Sequence, residues 1–135
     1  MTFVVDASVT LAWCFEDEAT DATEAVLDRL ASETALVPAL WPLEIANALL
    51  VAERRRRLTE FQAARFVELL DELPIEPDLP PPDLHAVLSI GRRFALSAYD
   101  AAYLLLAERA SVPLATTDAA LRDAALKAGV PLVVY

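Results

Sequence analysis

The sequence predicts an α/β domain built on a mostly parallel sheet, and three observations carry that expectation. Short apolar runs (Phe3-Val4-Val5, Ala35-Leu36-Val37, Val112–Thr116 and Pro131–Tyr135) alternate with longer segments whose apolar residues recur at helical spacing. The first run is unbroken and ends in two β-branched residues, the mark of a strand buried on both faces. Hydrophobic residues make up 56% of the chain, alanine is abundant and there are only 2 Gly. That composition excludes a disordered chain and favours a compact, helix-rich one. At 135 residues, one domain spanning 1–135 is expected.

After the first strand, Ala7–Phe15 reads as a short helix and Ala19–Leu30 as a second, with Ala22, Ala25, Val26, Leu27 and Leu30 forming a partial stripe. Pro38 closes the second strand. Trp41-Pro42-Leu43-Glu44 opens a long helix, because proline is well placed in a first turn, where its missing N–H would be unpaired anyway. Ile45, Ala48, Leu49 and Ala52 continue it at helical spacing. Arg54–Arg57 close it. Four consecutive arginines point all round a helix, so they complement the helix C-terminus or contact phosphate, but cannot all line one groove.

Thr59 caps a helix running to Leu73, and Pro74-Ile75-Glu76 is a candidate short strand. Pro77–Pro82 is a stiff connection too short to link domains. Asp83–Phe94 is a helix with Gly91 as a weak point, and Ser97–Ala110 is the most apolar helix. Ala119–Ala128 is a helix stopped by Gly129. Right-handed crossovers between the strands complete the expected architecture.

The formal charge is −10, from 21 acids against 11 bases. Such a field repels nucleic acid at long range and suits a cation or a basic protein partner. An early cluster, Glu16, Asp17, Glu18, Asp21, Glu24 and Asp28, reads as a solvated helix face. The single cysteine, Cys14, sits between Trp13 and Phe15 and reads as a core residue rather than a nucleophile. It cannot form an internal disulfide, which fits a reducing cytoplasm. Asp6 interrupts the first apolar run, so no signal peptide is expected, and no apolar stretch is long enough for a membrane helix.

Four acids stand at strand ends or in first helical turns: Asp6, Glu44, Asp100 and Asp118. Each has a local reading. Asp6 or Ser8 caps the first helix, Glu44 complements a helix dipole, Ser97-x-x-Asp100 resembles a capping box, and Asp118 is an N-cap. Together they have another. In a parallel sheet, strand C-terminal ends and the following helix N-termini share one edge, so four carboxylates are delivered towards one crevice. Like charges that close raise one another's pKa or require a cation. Carboxylate oxygens with waters suit Mg²⁺ or Mn²⁺. The one histidine, His85, has no soft-ligand companion and reads as a helix-surface residue, which excludes a structural zinc site. A carboxylate-held metal points to hydrolysis of a phosphoester. Ser8, Asn47, Thr116 and Thr117 lie within a turn of the acids; they either orient water and phosphate oxygens or make capping and turn bonds.

Val4-Val5-Asp6-Ala7-Ser8, Pro42-Leu43-Glu44-Ile45-Ala46-Asn47-Ala48, Leu96-Ser97-Ala98-Tyr99-Asp100-Ala101-Ala102-Tyr103 and Leu114-Ala115-Thr116-Thr117-Asp118-Ala119-Ala120-Leu121 resemble the successive motifs of PIN-domain ribonucleases. More narrowly, they resemble the VapC toxins of type II toxin–antitoxin pairs. Each motif alone is weak; four in order over nearly the whole chain are specific. The resemblance implies a PIN-like three-layer sandwich, with a mostly parallel central sheet of 4–5 strands and about 7 helices. It implies an endoribonuclease using one or two Mg²⁺ or Mn²⁺ ions, dimeric, and held inactive by a VapB antitoxin. On that reading Asp6, Glu44, Asp100 and Asp118 are metal ligands, and Asn47 and Thr116 are site neighbours. A basic antitoxin residue is expected in the acidic pocket. Residues 55–95 match no motif of the family.

Other readings stay open at this point. A haloacid-dehalogenase-like phosphotransferase would want a second aspartate where this chain has Ser8, and a response-regulator receiver would want a lysine after a late strand, whereas Lys127 lies inside a helix. A free-standing PIN nuclease of RNA processing, and a catalytically silent acidic module that binds a basic partner, are the remaining alternatives.

Overall fold

A computed structural model describes residues 1–78 and 81–133. Its elements run in the order β1 (Thr2–Val5), α1 (Ala7–Ala12), α2 (Asp21–Arg29), β2 (Thr34–Val37), α3 (Trp41–Arg54), α4 (Glu60–Glu72), β3 (Ile75–Pro77), α5 (Leu84–Phe94), α6 (Ala98–Ala110), β4 (Leu114–Ala115) and α7 (Ala119–Ala128). The four strands form one sheet in the order β3-β2-β1-β4, and every neighbouring pair is parallel. β1 therefore sits inside the sheet, pairing Val4 with Leu36 on one side and with Leu114 on the other.

Alternation along β1 divides the core. Phe3 and Val5 pack with Val9 of α1 and Val26 of α2. Val4 faces the opposite way, onto Leu104 of α6 and Leu121 of α7. Side chains two apart on a strand share a face, so one short strand fills both interhelical layers. This is the α/β domain with a parallel sheet that the sequence pattern predicts, in the three-layer form that the resemblance implies. α6 is buried continuously from Ala101 to Ala107, as expected of its most apolar helix. A third apolar group joins Ile45 and Leu49 of α3 to Phe66 and Leu70 of α4, with Ala7 and Leu11 of α1 against it.

Several boundaries depart from expectation for tertiary reasons. α1 stops at Ala12, three residues early, and the Trp13 indole N–H donates to the Thr23 carbonyl of the next helix at 2.8 Å. Glu16, Asp17 and Glu18 consequently lie in a turn rather than on a helix face, while Asp21 and Glu24 occupy the first turn of α2. α2 begins after Thr20, whose hydroxyl and that of Thr23 form a reciprocal capping box. β4 is only two residues long and follows Pro113, which has no N–H to donate. Among the described residues, the expected terminal strand contributes a parallel bridge from Leu132 to Leu114; Val134 and Tyr135 lie outside the described residues. So do Leu79 and Pro80 of the proline-rich connection.

Thr59 and Gly129 cap their helices as predicted, and Asp83, expected as the first residue of its helix, is instead the N-cap of α5. Gly91 is more than a weak point. A Cβ there would meet the Leu96 carbonyl oxygen at 3.2 Å, and the Leu96 N–H donates to the Gly91 carbonyl at 2.9 Å, so glycine admits the turn into α6. Of the arginine run, Arg54 ends α3, Arg56 takes the left-handed conformation (φ 58°), and Arg57 lies over the Phe15 ring at 4.4 Å while pairing with Asp17 and Glu18.

Candidate active site

The C-terminal end of β1 places Asp6 at the sheet edge, and the neighbouring end of β4 leads through Thr116 and Thr117 to Asp118. Asp6 is 4% exposed and is the N-cap of α1, accepting from the Val9 N–H at 3.0 Å. Two hydroxyls complete its shell. Ser8 Oγ donates to Oδ1 at 2.7 Å, and Thr116 Oγ1 donates to Oδ2. Both hydroxyls also accept: Ser8 Oγ from the Thr117 N–H at 3.1 Å, Thr116 Oγ1 from the Asp118 N–H at 3.0 Å. The two strand ends are thereby stitched together through uncharged groups. Asp118 caps α7, accepting from the Leu121 N–H at 2.8 Å, and Arg122 holds the Thr116 carbonyl at 3.2 Å.

Glu44 comes from the first turn of α3 and Asp100 from the first turn of α6. Ser97 Oγ accepts from the Asp100 backbone N–H at 3.1 Å. The reciprocal half of a capping box, present at Thr20 and Thr59, is not made at Ser97 among the described residues. The Asp100 carboxylate is thus not spent on capping. The residue missed by sequence reasoning is Tyr103. Only 1% exposed, its phenol donates to Glu44 Oε1 at 2.6 Å and ties α6 to α3. The signal was available: Tyr103 lies three residues beyond Asp100, on the same helix face.

The charges of these groups act on one another. Burial, first, and then the Asp100 charge push the Asp6 carboxyl up to about 6, against the pull of its three hydrogen bonds. Burial also raises Glu44, aided by Asp100 and opposed by the Tyr103 hydrogen bond. Asp100 is raised by burial and by Asp118. Tyr103 is pushed far up by burial and by Glu44 and Asp6, which keeps its phenol a donor. Asp100 is therefore the electrostatic hub that connects the other three acids. Ser8, Thr116 and Thr117 lie within this network; Asn47 stands one helical turn beyond Glu44, lining an open cavity of about 520 Å³.

The donor chemistry fits a hard divalent cation. It is all oxygen and anionic, and no ion pair to Lys or Arg is made by any of the four acids among the described residues. In the same residues no three His, Cys, Asp or Glu side chains meet as a ready-made ion cage. His85 is exposed on α5, and Cys14 is half-buried with its thiol raised by burial, as a packing residue rather than a nucleophile.

The PIN-domain signature matches residues 3–127. The chain belongs to the PIN-domain family. PIN domains are generally nucleases and generally use divalent metal ions. Among solved structures, this PIN domain is similar to PAE2754 from Pyrobaculum aerophilum, with 26% identity and a TM-score of 0.69 over 92% of this chain and 79% of that one. It also shares its fold with FitAcB from Neisseria gonorrhoeae, with 19% identity and a TM-score of 0.66 over 99% of this chain and 97% of that one. No curated protein matches it. No helix among the described residues is long and apolar enough to cross a membrane.

Proposed function

We propose that this PIN domain is a Mg²⁺- or Mn²⁺-dependent endoribonuclease and the toxin of a type II toxin–antitoxin pair, acting in the cytoplasm as one domain spanning residues 1–135. The observation that carries the proposal is the placement of four acids at one edge, Asp6 after β1, Asp118 after β4, and Glu44 and Asp100 in the first turns of α3 and α6, none of them paired with Lys or Arg among the described residues. Asp6, Glu44, Asp100 and Asp118 would hold one or two ions. A bound ion supplies a water of lowered pKa and neutralises charge on the scissile phosphate. The remaining work belongs to the chain. Ser8 and Thr116 fix the Asp6 carboxylate in one orientation, Tyr103 fixes Glu44, and Thr117 anchors Ser8. Asn47 lines the open cavity beside Glu44.

The partner reading rests on the same edge. Four acids without a basic partner of their own offer charge-assisted, bidentate bonds to an incoming Arg or Lys. A VapB-like antitoxin that inserts such a residue would silence the site, and a homodimer is the expected form of the free protein.

Cleavage of a mixed RNA pool by purified protein, with and without Mn²⁺, tests the activity. Metal-dependent cleavage by the parent and none by folded Asp100→Asn is the expected result. Undiminished cleavage by that variant removes the site assignment, and intact protein that never cleaves RNA leaves an acidic binding module. Co-purification from the native host, followed by crosslinking, tests the partner.

A further inference from the structure

The open cavity beside Glu44 is lined by Leu11 of α1, Leu40, Leu43 and Asn47 at the start of α3, and Tyr99 of α6. At about 520 Å³ it lies within the roughly 300–1,000 Å³ of small-molecule pockets. Tyr99 is 62% exposed and is the immediate neighbour of Asp100, so one helical turn carries both a proposed metal ligand and an open aromatic face. Asn47 follows Glu44 by three residues, on the same face of α3. Its amide offers both a donor and an acceptor. Glu44 is the one charged residue of the lining, and no Lys or Arg contributes.

That lining suits a neutral ring and not a phosphate. The chain carries a net charge of −10, so backbone electrostatics oppose RNA and affinity must come from elsewhere. Aromatic side chains supply it by stacking on any base, and an amide can pair with a base edge. We infer that this cavity is a subsite for one unpaired base of single-stranded RNA flanking the cut, stacked on Tyr99 and read by the Asn47 amide. The inference rests on the nuclease reading above and adds where the substrate is gripped. An unpaired base requires a single strand, so the subsite also selects loops and ends over duplex.

The test is a cycle between protein and RNA. An oligonucleotide that the parent cleaves is remade with single abasic sites at successive positions around the cut, and kcat/KM is measured for the parent, Tyr99→Ala and Tyr99→Phe. One abasic position is expected to cost the parent roughly 5- to 150-fold. The same removal costs Tyr99→Ala far less, and Tyr99→Phe behaves as the parent. Asn47→Ala shifts the preference among the four bases at that position. In chelator, 2-aminopurine placed there is quenched by the parent and not by Tyr99→Ala, a readout independent of cleavage. Because Tyr99 is exposed, the variant's melting curve should match the parent's. Penalties that multiply independently at every position overturn the subsite. So does indifference of the parent to every abasic site, the result expected if a protein partner's apolar side chain fills the cavity instead. Failure of the parent to cleave any RNA is a different outcome and overturns the nuclease reading itself.

Discussion

Two acidic regions of the molecule have opposite solutions to the same charge. In the turn after α1, Asp17 and Glu18 are paired with Arg57 at 3.2 and 3.3 Å, in side chains 43–75% exposed, and Arg57 also covers the Phe15 ring. A cavity of about 780 Å³, larger than the one of about 520 Å³ beside Glu44, opens beside this turn rather than at the sheet edge. At the edge, Asp6, Glu44, Asp100 and Asp118 are at least partly withdrawn from water, and among the described residues their hydrogen bonds come from hydroxyls, a phenol and backbone N–H groups. Cavity size and acid count therefore do not find the site. What separates the two regions is whether the fold provides its own counter-charge. Where it does, the acids are structural; where it withholds one, a cation is invited, and the proton affinity of Asp6, Glu44 and Asp100 rises.

The sharpest break in that comparison is functional. Asp100→Asn should lower metal-dependent RNA cleavage by roughly 100-fold or more, since it removes a charged ligand without changing volume. Arg57→Ala should leave cleavage within about twofold, although it disturbs the larger cavity. Equal losses from the two substitutions would erase the distinction between the regions.

The next effect is on stability in chelator. The folded-state pKa of Asp6 is about 6 against an ordinary 3.8, so the folded state holds its proton more tightly than the unfolded one. Stability is therefore reduced above the folded value, rises as pH falls through about 6, and is fully regained below 3.8. A shift of that size corresponds to roughly 3 kcal/mol. Asp6→Asn, which cannot ionise, should melt higher than the parent at pH 7 and lose this slope. A parent and variant with parallel pH profiles between 7 and 4 would show that the buried carboxylate carries no such penalty. Asp118→Asn should change little in chelator, because asparagine serves equally as an N-cap.

Tyr103→Phe is smaller again. It removes one hydrogen bond to a carboxylate, worth about 1.5–3 kcal/mol. The variant should melt lower in chelator and bind Mn²⁺ more weakly, by calorimetry, than the parent. Unchanged Mn²⁺ affinity would reduce Tyr103 to a packing residue. The smallest effect belongs to the exposed region: Arg57→Ala should cost about 0–1 kcal/mol, shrinking in high salt. A larger, salt-independent loss would mean that the ring contact with Phe15, not charge, holds the turn.

Local chemistry made some features readable and long-range contact hid others. Thr59 and Gly129 announce helix ends because a cap depends on its own neighbours in sequence. The alignment of Asp6, Glu44, Asp100 and Asp118 was inferable because a parallel sheet puts strand ends on one edge. The early end of α1 was not, since it accompanies an indole reaching across to Thr23. The arginine run pointed to a helix end or phosphate, and nothing local indicated that Arg57 would reach acids forty residues earlier. Ser97-x-x-Asp100 resembled a capping box whose second half the fold leaves unmade. That omission, invisible in the sequence, is what frees Asp100 for the crevice.

The place of β1 inside the sheet has a kinetic consequence. β1 can pair with β2 after a short connection, but its other edge waits for β4, more than a hundred residues later in the chain. Such distant pairing is slow, because a long loop must close before any contact rewards it. The same closure brings Thr116 onto Asp6 and carries Asp118 to the edge. During synthesis, then, the nascent chain holds an open strand edge and an incomplete set of acids until the segment around β4 emerges. Completing the sheet and completing the crevice are one event, so a chain that has not finished folding has no assembled site with which to act.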